Sequence, residues 1–381
     1  MSDRQILIVD DHADEERAKL GEWEASAKVV VRHPQDVTIE DLQDAHVVVV
    51  DFRLDELWSG RDETDCIALK PMNGLALLQV LKSHECTLER SPTAFVLRSA
   101  HLSDLTSGRL PDTRLHSIAR QYGLEWVLEK TAENPRMAIQ LQQICSLADA
   151  VSALPEHWPS EDRNVASRLF RQWLSLPDES WQSLAWQDIE DCHPPIHELE
   201  THRDGMRLVR WMAQRILPYP CFLMNESRLA ARLKVTLDSL KDGLTNGLNE
   251  AFHSAEYTGA LRGFSGGPCW WRSGLESVLW QLSDGRSFET GLIFDLLNAK
   301  CGDRLQRLGL DQPVLCLDER LGWMPAPIDI TQAVRIQPDD WPVFAEQAWA
   351  SLAETREHPQ LAAAVIAADR SRLSPEAGED E

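Results

Sequence analysis

The chain has 381 residues, more than one ordinary hydrophobic core accommodates, so two or three domains are expected. Its formal charge of −23 opposes general attraction to nucleic acid, although it leaves room for a local basic face. No apolar run approaches the ~20 residues a membrane span needs, and the eight scattered cysteines read as reduced thiols of a cytoplasmic chain.

The N-terminal residues are expected to lead straight into a strand, with no signal peptide expected. Ile6-Leu7-Ile8-Val9 is an unbroken apolar run that ends in Asp10-Asp11. A helix is predicted near Asp14–Trp23, a strand over 28–32 and a short helix near Ile39–Gln43. Val47-Val48-Val49-Val50 then ends in Asp51, the pattern of a strand buried on both faces of a parallel sheet. Leu75, Leu78 and Leu81 give a helical stripe after Gly74. Thr93–Leu97 is a strand with Ser99 just beyond it. A helix is predicted near Leu115–Tyr122, and Trp126-Val127-Leu128 ends in Glu129-Lys130. A last helix runs from Pro135 to about Ala153. Alternating strands and helices of this kind imply a doubly wound parallel sheet, which places its ligands at the strands' C-terminal ends. Three carboxylates, a hydroxyl and an ammonium then meet on one edge. That set suits phosphoryl chemistry: two acids hold Mg²⁺, a third is the nucleophile, and the hydroxyl and lysine bind the phosphoryl oxygens.

Residues 4–150 resemble the receiver domain of bacterial two-component response regulators. The resemblance rests on Ile6–His12, Val50–Leu54, Met72-Asn73-Gly74, Leu97–Ala100 and Lys130. It implies a flavodoxin-like α/β fold, with Asp51 as phosphoacceptor and Asp10 and Asp11 as metal carboxylates beside it. It also implies Ser99 as the switch hydroxyl, Lys130 as the phosphate-contacting lysine, Mg²⁺ as cofactor, and a histidine kinase or phosphotransfer protein as partner. Gly74 stands 23 positions after Asp51, a longer connection than is usual in compact domains. The extra stretch, 55–70, reads either as a lid on the carboxylate or as a surface excursion. Val127 stands at the family's aromatic switch position, and Trp126, displaced by one, faces the other side of the sheet.

The receiver is therefore expected over 1–153, followed by a linker over 154–160 and a mainly helical output region over 161–370. An acidic, disordered tail is expected over 371–381. In the output region, helices are predicted from the stripes at Val165–Leu174, Trp181–Ile189, Leu199–Ile216, Phe288–Leu308, Trp341–Leu352 and Leu361–Ala368. Glu226–Leu244 has the spacing of a helix-turn-helix. Between Arg203 and Asp242, eight arginines and lysines stand against four acids, a local +4. Arg228, Arg232, Lys234, Thr236 and Lys241 are the candidate DNA contacts. The alternative is a structural helical hairpin, with output through a protein partner on the tryptophan-rich surface.

Two further clusters carry less. Cys192, His193, His197 and His202 could ligate a metal, but Pro194 and Pro195 forbid one continuous helix through them. Gly263–Arg272 lacks the Gly-Lys-Ser/Thr ending of a phosphate loop and reads as a tight turn packing Trp270 and Trp271. No acid, base and nucleophile set supports an enzymatic output.

Overall fold

The computed structural model describes residues 4–19, 21–54, 71, 73–88, 92–106, 111, 113–131, 134–155, 158, 163–200 and 204–373. The 55–70 stretch, most of the 154–160 linker and Arg203 therefore lie outside the described residues, as do His202 and residues 374–381. The chain divides into two compact units. The first comprises Met1–Leu176, Pro194–Pro218 and Thr258–Gly266. The second comprises Pro177–His193, Tyr219–Tyr257 and Gly267–Glu381. The boundary expected at 154–160 falls inside the first unit by this division.

The first unit is built on five parallel strands: β1 (Gln5–Val9), β2 (Lys28–Arg32), β3 (Val47–Asp51), β4 (Ala94–Ser99) and β5 (Trp126–Glu129). Their order is β2-β1-β3-β4-β5, all parallel, which is the flavodoxin-like doubly wound arrangement. The longer helices between and after them are α1 (Ala13–Lys19), α2 (Ile39–Asp44), α3 (Gly74–Glu85), α4 (Leu115–Gln121) and α5 (Asn134–Ser152), with a short helix at Leu102–Thr106. The helix predicted near 14–23 is found over Ala13–Lys19 and over Gly21–Glu24, with Leu20 outside the described residues.

Side chains alternate across each strand, so the apolar runs serve two layers at once. Leu7, Val9, Val48, Val50, Phe95, Leu97 and Val127 share one core with Leu42, Leu77, Leu78, Leu81, Ile118 and Ala119 of α2, α3 and α4. Ile6, Ile8, Val47, Val49, Val96 and Leu128 are as deeply buried on the opposite face. That double burial is why these strands show no polar alternation.

Strand β5 lies at the sheet's edge, and later parts of the same unit pack on it. The Trp126 and Phe264 rings meet edge to face, 4.7 Å between centroids. Glu125, fully buried, accepts the Phe95 N–H (2.6 Å) and pairs with Arg210 (2.6 Å). Gln214 donates to the Leu124 and Glu125 carbonyls (2.6 and 3.1 Å). Glu125 and Gln214 thus have their partners, as burial demands, whereas the buried Trp126 Nε1 has none among the described residues.

The second unit mixes helices with three two-stranded antiparallel ladders: 223–225 with 269–271, 313–314 with 328–329, and 333–336 with 348–351. The mainly helical expectation thus fails over residues 301–351. The helix predicted over Phe288–Leu308 spans only Thr290–Lys300, because Gly302 (φ 67°) and Asp303 (φ 58°) turn left-handed and end it. The helix predicted over Trp341–Leu352 is instead a strand at Ala348–Ser351. There Ala348 and Ala350 are buried while Trp349 and Ser351 are partly exposed, a period of two rather than 3.6. Residues 371–373, assigned to the disordered tail, close a 3-10 helix over Ala367–Leu373. Arg372 donates from it to the Ala333 carbonyl (2.6 Å). Trp270 and Trp271 are buried in this unit; in the first unit, Gly263 and Gly266 take positive φ.

Candidate functional site

Each charged group of the first unit's pocket stands where a strand gives out. Asp10 and Asp11 follow β1, Asp51 and Ser99 close β3 and β4, and Lys130 follows β5. The ladder continues just far enough to hold them. The Phe52 N–H donates to the Arg98 carbonyl (2.8 Å), and the Lys130 N–H to the Ser99 carbonyl (2.8 Å). All four residues other than the lysine are buried.

Lys130 is the centre of the arrangement. Its Nζ lies 2.7 Å from Asp10 Oδ2, 3.2 Å from Asp51 Oδ1 and 3.7 Å from Glu16 Oε1. Backbone amides complete the first turn beyond the strands. His12 N–H donates to Asp10 Oδ1 (2.9 Å), Arg53 N–H to Asp51 Oδ2 (3.2 Å), and His101 N–H to Ser99 Oγ (3.1 Å). Gly74 explains the Asn73-Gly74 pair. Asn73 caps α3 by accepting the Ala76 N–H (3.1 Å), and a Cβ on Gly74 would stand 2.0 Å from the Asp51 carbonyl oxygen. Only glycine lets α3 approach the Asp51 backbone this closely.

The electrostatics follow from that crowding. Burial pushes the Asp51 carboxyl up to about 6; Lys130 opposes the shift, while Asp10 and Asp11 add to it. Burial by itself lowers Lys130, but its hydrogen bond to Asp10 and the charges of Asp51, Asp10 and Glu16 raise it overall. Lys130 therefore stays an ammonium. Three aspartates against one lysine leave negative charge in the pocket, and their hard oxygens are the donors Mg²⁺ takes. The donor set fits that ion by chemistry and by charge. As arranged, no three His, Cys, Asp or Glu side chains among the described residues are gathered closely enough to hold a metal, and Lys130 bridges two of the three aspartates.

Sequence reasoning missed a second layer beneath these groups. Arg98 of β4 and Glu16 of α1 form an ion pair at 2.7 Å, both side chains under a tenth exposed. Lys19 also donates to Glu16 (3.1 Å), and Arg98 Nε has no partner among the described residues. Burial raises the Glu16 carboxyl, but Arg98's charge and hydrogen bond outweigh it and the net shift is downward. A signal was present: Arg98 interrupts Ala94-Phe95-Val96-Leu97, and a cation inside such a strand demands a buried partner. Trp126, expected to face away from Val127, does so: Val127 joins the core under α2, α3 and α4, while Trp126 meets Phe264.

The five candidate DNA contacts of the second unit have different local roles. Helices Glu226–Leu233 and Leu237–Gly243 form a hairpin sharing the buried Leu229, Ala230, Leu233, Val235 and Leu240. Arg228 is half-buried and donates Nη1 to the Tyr219 carbonyl (2.8 Å), with its guanidinium 5.1 Å over the Trp323 ring. Thr236 caps the second helix by accepting the Ser239 N–H (3.4 Å), and its hydroxyl also donates to Ser239 Oγ (2.9 Å). Lys234 is the left-handed residue between the helices (φ 55°), and Lys241 lies 4.0 Å from Glu226. Arg232 is exposed. Among the described residues, Cys192, His193 and His197 belong to no metal-ligating group.

No protein-family model matches the chain, and no curated protein matches it. Among solved structures, the response regulator RcsB of Salmonella typhimurium, described for its conformational dynamism in DNA interaction, is 17% identical with a TM-score of 0.23. The match covers 55% of this chain and 93% of that one. A score that low carries neither fold nor activity across. Among the described residues, no helix is long and apolar enough to cross a membrane.

Proposed function

We propose that the first unit is a receiver that accepts a phosphoryl group on Asp51 as a signal rather than as a step of turnover. The observation that carries the reading is Lys130, held at 2.7 Å and 3.2 Å between the carboxylates of Asp10 and Asp51 at the open end of a parallel sheet. In the reaction, an Asp51 carboxylate oxygen attacks the phosphorus of a phosphohistidine on a kinase or phosphotransfer partner. The O–P bond forms, the P–N bond breaks, and the histidine leaves with the electron pair. Asp10, Asp11 and Asp51 would hold Mg²⁺, which neutralises charge on the transferred group. Lys130 contributes a second positive charge to the same oxygens, and Ser99 offers its hydroxyl.

The chain then acts as a cytoplasmic response regulator whose second unit is the output. Two outputs stand against each other: transcriptional control through the 226–244 hairpin, or an adaptor role through a protein partner. The inward use of Arg228 and the capping use of Thr236 favour the protein partner, because they remove two of five side chains from any DNA-facing surface. Acetyl phosphate with Mg²⁺ should raise the mass by one phosphoryl group, and Asp51→Asn should abolish the gain. Labelling that survives in Asp51→Asn would overturn the assignment. A gel shift at two salt concentrations separates the outputs, since phosphate contacts on DNA weaken steeply with salt.

A further inference from the structure

The second unit contains a cavity of about 240 Å³ that nothing in the receiver reading uses. Three arginines reach it from two helices. Arg228 and Arg232 lie one turn apart on Glu226–Leu233, and Arg272 opens the helix Arg272–Leu282. Trp323 and Trp349 supply flat apolar wall.

The arginines are held to different degrees. Arg228 is fixed by the Tyr219 carbonyl (2.8 Å) and by stacking over Trp323 (5.1 Å). Such stacking pre-orients a planar guanidinium, so less freedom is lost when it grips a ligand. Arg272 is forked between Asp188 (2.8 Å) behind it and Glu346 (3.0 Å) in the lining. Arg232 is exposed at the rim and makes no ion pair among the described residues. The lining carries these three arginines against two glutamates, Glu276 and Glu346, in a chain whose net charge is −23. A concave patch with aromatic wall and forked cations matches a planar anion attached to a ring. The volume lies below the usual ~300–1,000 Å³ of ligand pockets, so the ligand is small, on the order of ten non-hydrogen atoms.

We propose that this cavity binds a small organic anion, a carboxylate or phosphate borne on a flat ring. The ring lies against Trp323 and Trp349, and the anion is held by Arg228 and Arg232. This site is independent of Asp51 and of any phosphoryl transfer.

Saturation-transfer NMR on the full chain tests it with three probes: benzoate, phenyl phosphate, and benzamide as the uncharged shape of benzoate. Benzoate should show transfer, with a Kd on the order of millimolar. Benzamide should bind roughly tenfold more weakly, because it cannot accept a charge-assisted fork. Stronger transfer from phenyl phosphate, or from benzoate, supports the site and fixes which anion it prefers. Arg232→Gln lies on the surface and leaves the core intact; it should weaken benzoate about three- to tenfold and leave benzamide unchanged. Arg228→Lys keeps the charge but loses the planar fork, and should also weaken benzoate. Equal binding of benzoate and benzamide would overturn the proposal. So would unchanged benzoate binding in Arg232→Gln, or no transfer from either anion.

Discussion

The two pockets of this chain solve opposite problems of charge. At the sheet edge, Asp10, Asp51 and Glu16 crowd around one ammonium, and the surplus is negative. In the second unit, guanidinium groups converge on a cavity walled by tryptophan. The means of fixing the charges differ as well. The aspartates are held by the backbone, at the ends of β1 and β3 in one hydrogen-bonded sheet. The arginines are held by side-chain forks and ring stacking between segments brought together only by folding. The first arrangement leaves little conformational choice. The second depends on every wall being in place.

The contrast is sharpest at Glu16 and Arg98, where the sheet-edge pocket also relies on a side-chain pair. Replacing one member of a buried pair strands the other charge and costs about 3–5 kcal/mol. Lys19 (3.1 Å) and Lys130 (3.7 Å) still partner Glu16 when Arg98 is lost, so Arg98→Met should destabilise the protein by the lower end of that range, about 3 kcal/mol, measured by urea unfolding. Adding Glu16→Gln to the same chain should restore most of it, because no lone buried charge remains. If the double variant is as unstable as the single one, the pair matters by packing and not by charge. The backbone-held description of this pocket then stands with Arg98 as a mere filler.

The backbone-held carboxylate makes its own prediction. The folded Asp51 carboxyl is pushed up to about 6 from 3.8, chiefly by burial. Between those values the folded chain binds a proton that the unfolded chain has released. Stability from this group is therefore lost as pH rises from about 4 through about 6, and stays lost above. Asp51→Asn removes the titration. At pH 7.5 the variant should be more stable than the parent by about 2–3 kcal/mol, and at pH 4 the gain should vanish. Unfolding curves at the two pH values check this. A gain of equal size at both would show that Asp51 is not ionising against its surroundings. The same substitution is the one proposed to abolish phosphorylation, so stability and function would move in opposite directions at one atom.

How much could be read from the residues divides along the same line. The strands, their parallel character and the convergence of Asp10, Asp11, Asp51, Ser99 and Lys130 followed from apolar runs that stop at a polar residue. A strand end is a local event, and one sheet brings all such ends to one edge. Glu16 was not legible, because a helix's acid gives no sign of which strand it faces. The arginine cavity was not legible either, since its lining runs from Pro220 to Trp349. Arg228 and Arg232 were seen, but spacing alone placed them on DNA; only the fold shows Arg228 turned to Tyr219 and Trp323. The strand at 348–351 was lost because two alanines and a tryptophan fit either period.

The smallest expected effect lies in the second unit, at the turn of the 226–244 hairpin. Lys234 holds a left-handed conformation (φ 55°), with its N–H donating to the Ala231 carbonyl (3.1 Å). That conformation costs a residue with a Cβ about 1–2 kcal/mol, and glycine takes it freely. Part of the relief is offset by glycine's larger freedom in the unfolded chain. Lys234→Gly should therefore stabilise the protein by about 0.5–1 kcal/mol, read from the urea midpoint. The Leu308 N–H donates to the Lys234 carbonyl (2.8 Å), so the turn is tied to the 305–308 segment through backbone that the substitution keeps. The side chain itself is what the test removes. A loss of stability on replacing Lys234 would mean that its aliphatic stem packs against this unit. The second unit's turns would then rely on side chains as its cavity does. A gain would place this one turn with the sheet edge, set by backbone geometry alone.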